Sequence, residues 1–211
     1  MKLRHLPLVT LTLAIAACSK GDQLEDGGVY ASRTVCPQVG VPAGTGDITL
    51  FTQPGATSSD AIDVTATITN VRATCSEDAT TVASTITFDV LGQRRDAGAA
   101  RQVVLPTFNV AMQGGTQVVA KKVGNVVLSF PDGAIRAQTS GTATIRVSRR
   151  AVTLSAEVQD ELTRRRKPGD VDAAIDPLTV PAVRDAVARA TFEQLIGFQL
   201  TNDQLRYNVT R

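Results

Sequence analysis

Few residue types in this chain could carry chemistry: three cysteines (Cys18, Cys36 and Cys75), one histidine (His5), the pair Lys121-Lys122, three spaced aspartates (Asp170, Asp172 and Asp176) and the basic run Arg164, Arg165, Arg166 and Lys167. With no histidine after position 5, Ser-His-Asp and Cys-His devices are excluded from the rest of the chain. A Ser-Lys pair would have to use Lys121 or Lys122, but both sit in an alternating pattern whose polar face carries lysines anyway. The three aspartates could offer oxygen ligands to calcium. They lack the glycine and terminal glutamate of a calcium loop, so a polar connector with helix-capping aspartates is the simpler reading. Gly44-Thr45-Gly46 and Gly114-Gly115 are not followed by Gly-Lys-Ser/Thr, and they read as turns rather than phosphate cradles. No catalytic residue, metal site or cofactor is expected.

The basic run could meet phosphates, carboxylates or an acidic partner as a contact surface. Against this stands a solvated helix end favoured by its own dipole. Tyr207, between Arg206 and Asn208, could serve a contact, although burial of its ring with Leu205 is simpler.

The first cysteine belongs to the N-terminus. Lys2, Arg4 and His5 precede an apolar stretch from Leu6 to Ala17, which gives way to Ser19, Lys20, Gly21 and Asp22. A membrane-spanning helix needs about 20 apolar residues, so this shorter run reads as a secretory signal covering residues 1–17. Ile15-Ala16-Ala17-Cys18 resembles the lipobox cut by bacterial lipoprotein signal peptidase, which implies a lipidated thiol and usually an acylated amine. Two or three acyl chains, at roughly 0.8 kcal/mol per buried methylene, make a stable anchor where one would be marginal. Ser19 stands where an aspartate retains known lipoproteins at the inner membrane, so the resemblance implies the outer membrane, facing the periplasm.

Removal of residues 1–17 takes Lys2 and Arg4 from the 22 basic residues, leaving them equal in number to the 20 acidic ones. That balance argues against a nucleic-acid partner. Cys36 and Cys75 remain as an even pair in an oxidising compartment and are expected to form a disulfide. Closing a loop of about 40 residues would remove denatured-state entropy equivalent to roughly 4 kcal/mol. The alternative, a redox or metal pair, lacks Cys-x-x-Cys spacing and a histidine.

These residues must be held by a scaffold of strands. Ile62, Val64, Ala66 and Ile68 alternate with Asp63, Thr65, Thr67 and Thr69; beyond Thr69 the apolar set shifts to Val71, Ala73 and Cys75, which predicts a bulge near Asn70. Val82, Ile86, Phe88 and Val90 repeat the alternation, as do Phe108, Val110 and Met112, and later Ala143, Ile145 and Val147. Gly114-Gly115, Pro131-Asp132-Gly133 and Ser140-Gly141 read as turns between strands. Beyond Arg149 the period becomes helical. Ser155 can cap a helix reaching about Lys167, stopped by Pro168-Gly169, with Asp160–Arg164 and Glu161–Arg165 as i,i+4 pairs. Pro181 opens a second helix, whose apolar face Phe192, Leu195, Ile196, Phe198 and Leu200 would extend. Thr201 with Gln204 could form a capping box for a final turn.

The expected architecture is mainly β within the α+β class: an antiparallel immunoglobulin-like β-sandwich with C-terminal helices packed on it. A flexible tether over 18–33 would precede one globular domain over 34–211, comprising a sandwich over 34–150 and a helical part over 151–211.

The lipobox, Cys36-Pro37, Cys75 on a Thr-rich strand, Lys121-Lys122 before a Val-rich strand, and the ending Gly197-Phe198-Gln199-Leu200-Thr201 with Gln204-Leu205-Arg206-Tyr207-Asn208 together resemble a family of uncharacterised alphaproteobacterial envelope lipoproteins. The resemblance covers most of the chain after the signal. It implies compartment and kinship, and transfers no active site. The sequence therefore leads to the expectation of a non-enzymatic envelope lipoprotein, held to the membrane by lipid on Cys18 and engaging an envelope protein partner. The alternative is a periplasmic ligand-binding or carrier module for an apolar or glycan molecule.

Overall fold

The computed structural model describes residues 33–167 and 169–210; the signal, Cys18 and all of the tether before Arg33 lie outside them. The chain is mainly β, with 48% strand and 21% helix. Eight strands run as β1 (Gln38–Gly40), β2 (Asp47–Phe51), β3 (Ile62–Glu77), β4 (Thr81–Arg94), β5 (Arg101–Gln113), β6 (Gln117–Phe130), β7 (Arg136–Ser148) and β8 (Phe192–Phe198). Between β7 and β8 lie the helices α1 (Arg149–Val152), α2 (Ala156–Thr163) and α3 (Pro181–Ala190), and α4 (Asn202–Thr210) follows β8.

The strands form two four-stranded sheets packed face to face, ordered β1-β8-β5-β6 and β2-β3-β4-β7. All pairings are antiparallel except the short β1–β8 contact. This is the antiparallel sandwich that the alternation predicts. Its core takes Val64, Ala66 and Ile68 from β3, Ile86, Phe88 and Val90 from β4, and Leu105 from β5. Val126, Leu128 and Phe130 of β6 meet them with Ile196 and Phe198 of β8. The predicted bulge is present, with the β3–β4 register breaking between Thr69 and Arg72 and Asn70 at φ +50°.

Three local readings are corrected. The helix opened by Pro181 ends at Ala190, and Phe192 to Phe198 is a strand at the centre of one sheet, with Phe192, Gln194, Ile196 and Phe198 buried at a period of two. Helix α2 stops at Thr163 instead of about Lys167, because Arg164, at φ −59° and ψ +123°, leaves the helical backbone. Gly141 is not in a turn but within β7, where the ring of Phe88 occupies the space a side chain would need.

Several polar side chains fasten the edges. Arg94, 3% exposed, donates from its guanidinium to the carbonyls of Ala134, Ala99, Gly98 and Pro131 and stacks 5.5 Å from the Phe130 ring, closing one end of the sandwich. At the C-terminus Thr201 and Gln204 form the predicted capping box, at 2.9 and 3.2 Å. Asn208 then donates to the carbonyls of Gly44 and Asp47, docking α4 beside β2. Tyr207 meets Phe51 edge-on at 5.1 Å rather than packing on Leu205 alone.

Candidate functional site

Cys36 and Cys75 are bonded, with their Cα atoms 6.0 Å apart, and join the segment before β1 to the far half of β3. Neither is available as a redox or metal pair while so joined.

The basic run is divided by the fold. Arg164 bonds Asp172 and, at 3.3 Å, Glu161. Arg166 turns inward, its side chain 1% exposed, with one guanidinium nitrogen 2.7 Å from Glu161 and Nε 3.5 Å from Asp172. Arg165 and Lys167 are exposed whereas Arg166 is buried between them, so the run is not one continuous contact surface. The physical cause is that two acids, Glu161 and Asp172, compensate the guanidinium that leaves water. Bonding to Arg164 holds the Asp172 carboxyl below its ordinary range, and the same contact raises Arg164.

The three aspartates go to three places. Asp170 accepts from the Lys167 backbone N–H at 2.8 Å, Asp172 faces the arginines, and Asp176 caps the turn at Leu178 at 2.9 Å. They serve as caps and counter-ions in the connector between α2 and α3. Gly114 and Gly115, at φ +62° and +72°, form the β5–β6 hairpin turn.

Two surfaces on the β5–β6 pair carry more. On β5 the alternation runs opposite to its apparent sense: Leu105, Thr107 and Asn109 face inward, whereas Val104, Phe108 and Val110 lie on the outer face. The register sets Val104 opposite Val127 and Phe108 opposite Val123. Val104 is 57% exposed, Val123 54% and Val127 39%, so a row of apolar side chains lies open on the outside of the sheet. Lys121, beside it, places its ammonium 5.6 Å from the Phe108 ring.

The second surface lies around the edge. A cleft of about 540 Å³ opens between β6 and β7, the neighbouring edge strands of opposite sheets. Thr107, Asn109, Asn125, Ser140 and Thr142 line it with Lys122 and Arg146, and Phe88 and Ile196 reach it from the core. Asn109 is fixed from behind: buried Gln194 donates to its Oδ1 at 3.0 Å and to the Ala143 carbonyl at 3.0 Å, while Asn109 donates to the Thr144 carbonyl at 3.2 Å. These amides bridge the two sheets. Their only signal in the sequence is polar residues at core-facing strand positions, masked by the apolar set of Phe108, Val110 and Met112 on alternate positions.

A further cavity of about 890 Å³ lies between β2 and α4, bordered by Thr49, Phe51 and Tyr207. Among the described residues no helix is long and apolar enough to cross a membrane. No family model, no curated protein and no solved structure matches the chain.

Proposed function

We propose that the protein is a non-enzymatic envelope lipoprotein, anchored by lipid on Cys18 to the outer membrane and facing the periplasm, which docks a partner protein on the outer face of β5 and β6. The observation that supports this is the open row of Val104, Val123 and Val127 around Phe108. Contiguous apolar surface of this kind marks interaction sites on soluble domains. Docking by the face is favoured over strand addition at the edge, because Lys121 and Lys122 stand mid-strand in β6, and charged edge positions oppose pairing with another strand. The lipobox and the Cys36–Cys75 bond, which suits an oxidising compartment, support the address.

A photo-crosslinking residue at Val123 in living cells tests the reading. A discrete protein adduct is expected, lost when Val104→Asp and Val127→Asp are combined while the fold, read by circular dichroism, is retained. Absence of an adduct, or an adduct indifferent to both aspartates, refutes the docking face. Cys18→Ala should move the protein to the soluble periplasmic fraction, and continued membrane association refutes the anchor.

A further inference from the structure

The cleft between β6 and β7 has a distinct electrostatic character. No aspartate or glutamate lines it, and its two charged residues, Lys122 and Arg146, have no ion-pair partner among the described residues. Its remaining polar lining is hydroxyl and amide. Its volume of about 540 Å³ falls within the roughly 300–1,000 Å³ of small-ligand sites.

Two of its groups are built in. Thr107 is 6% exposed, and no hydrogen bond reaches its hydroxyl from the described residues. It faces Gly124 in register, and with no side chain there its oxygen stays open to the cleft. Asn109, 8% exposed, spends one amide hydrogen on Thr144 and its oxygen on Gln194, which leaves the second amide hydrogen for a ligand. A hydroxyl and an amide hydrogen fixed in place and open to the cleft can bond a ligand hydroxyl with little loss of side-chain freedom.

We propose that this cleft binds an anionic sugar, a polyhydroxylated ring bearing a carboxylate or phosphate. The ring hydroxyls bond Thr107 and Asn109, and the anionic group meets Lys122 and Arg146. A purely apolar ligand would leave the hydroxyl and amide lining unpaired. The cleft adjoins the outer docking face and shares Phe108, Val123 and Val127 with it, and it gives the ligand-binding alternative a definite place.

The test is titration of the full-length protein, purified in detergent micelles, with glucuronate, glucose 6-phosphate, glucose and a Thr-Glu repeat peptide, read by NMR of the side-chain amides. Glucuronate or glucose 6-phosphate is expected to shift the Asn109 and Asn125 amides, with glucose at least about tenfold weaker. Which of the two binds better tells whether carboxylate or phosphate is preferred. Lys122→Gln and Arg146→Gln, both at exposed positions, should each weaken binding about tenfold, and Thr107→Ser should bind where Thr107→Val does not. Glucose binding as tightly as the anions, shifts confined to other residues, binding unchanged in both cation variants, or binding of the peptide alone would overturn the proposal, as would no binding by any probe.

Discussion

Phe88 and Gly141 are cross-strand partners on β4 and β7, packed so closely that a Cβ on residue 141 would stand 2.3 Å from the ring Cζ. Phe88 is 3% exposed and held in the core, so the ring has little room to yield. Gly141→Ala should therefore force a shift of the β7 backbone and cost about 1–3 kcal/mol, the range of an overpacked core. Phe88→Ala should cost about 3–5 kcal/mol through the void it leaves. Urea unfolding reads both. A midpoint unchanged in Gly141→Ala would show that the ring can move aside.

That same glycine marks where the sequence misleads. Ser140-Gly141 has turn composition, and only the position of Phe88, 53 places earlier in the chain, makes the glycine a strand residue. Strands with one wet face were legible, as in Ile62 to Ile68, because alternation there reports burial directly. Phe192 to Phe198 was not, since its apolar residues continue the face of the preceding helix and a buried central strand has no polar face to reveal its period. The candidate sites divide in the same way. The Cys36–Cys75 bond follows from residue count and compartment, whereas the cleft depends on Thr107, Asn109 and Gln194, polar residues at core positions that strand pairing alone brings together. Arg166 shows the limit of local reasoning: its burial depends on Asp172, beyond the end of the helix.

The disulfide should matter chiefly through the unfolded chain. Its sequence separation is 39, and in the loop-entropy account closing such a loop is equivalent to roughly 4 kcal/mol. Joint replacement of Cys36 and Cys75 by serine should therefore lower unfolding free energy by about 2–4 kcal/mol with little change in the folded spectrum. Thiol titration of the denatured, unreduced protein should find both blocked. A loss well under 1 kcal/mol would show that the unfolded chain is already constrained near these residues.

Acid should destabilise the protein, and Asp172 should account for part of the loss. Hydrogen bonds from Arg164 to Asp172, from Ser140 and Asn70 to Asp89, and from the Thr80 and Thr81 backbone to Asp78 all hold carboxyl groups below their ordinary range. Because the folded values are depressed, their stabilisation is complete above the unfolded carboxylate range, near about pH 4, and disappears as pH falls through the folded values. The melting temperature should be level from neutral pH to about 5 and fall below about 4. Asp172→Asn should melt lower at neutral pH, since it removes a counter-ion from buried Arg166, and should fall less steeply in acid. Arg166→Met should be neutral or stabilising, because Nε and Nη1 of the guanidinium are buried without hydrogen-bond partners and an apolar side chain of similar length avoids that desolvation. A melting temperature that rises on acidification, or an Asp172→Asn profile parallel to the parent, would show that these carboxylates do not govern the acid limb.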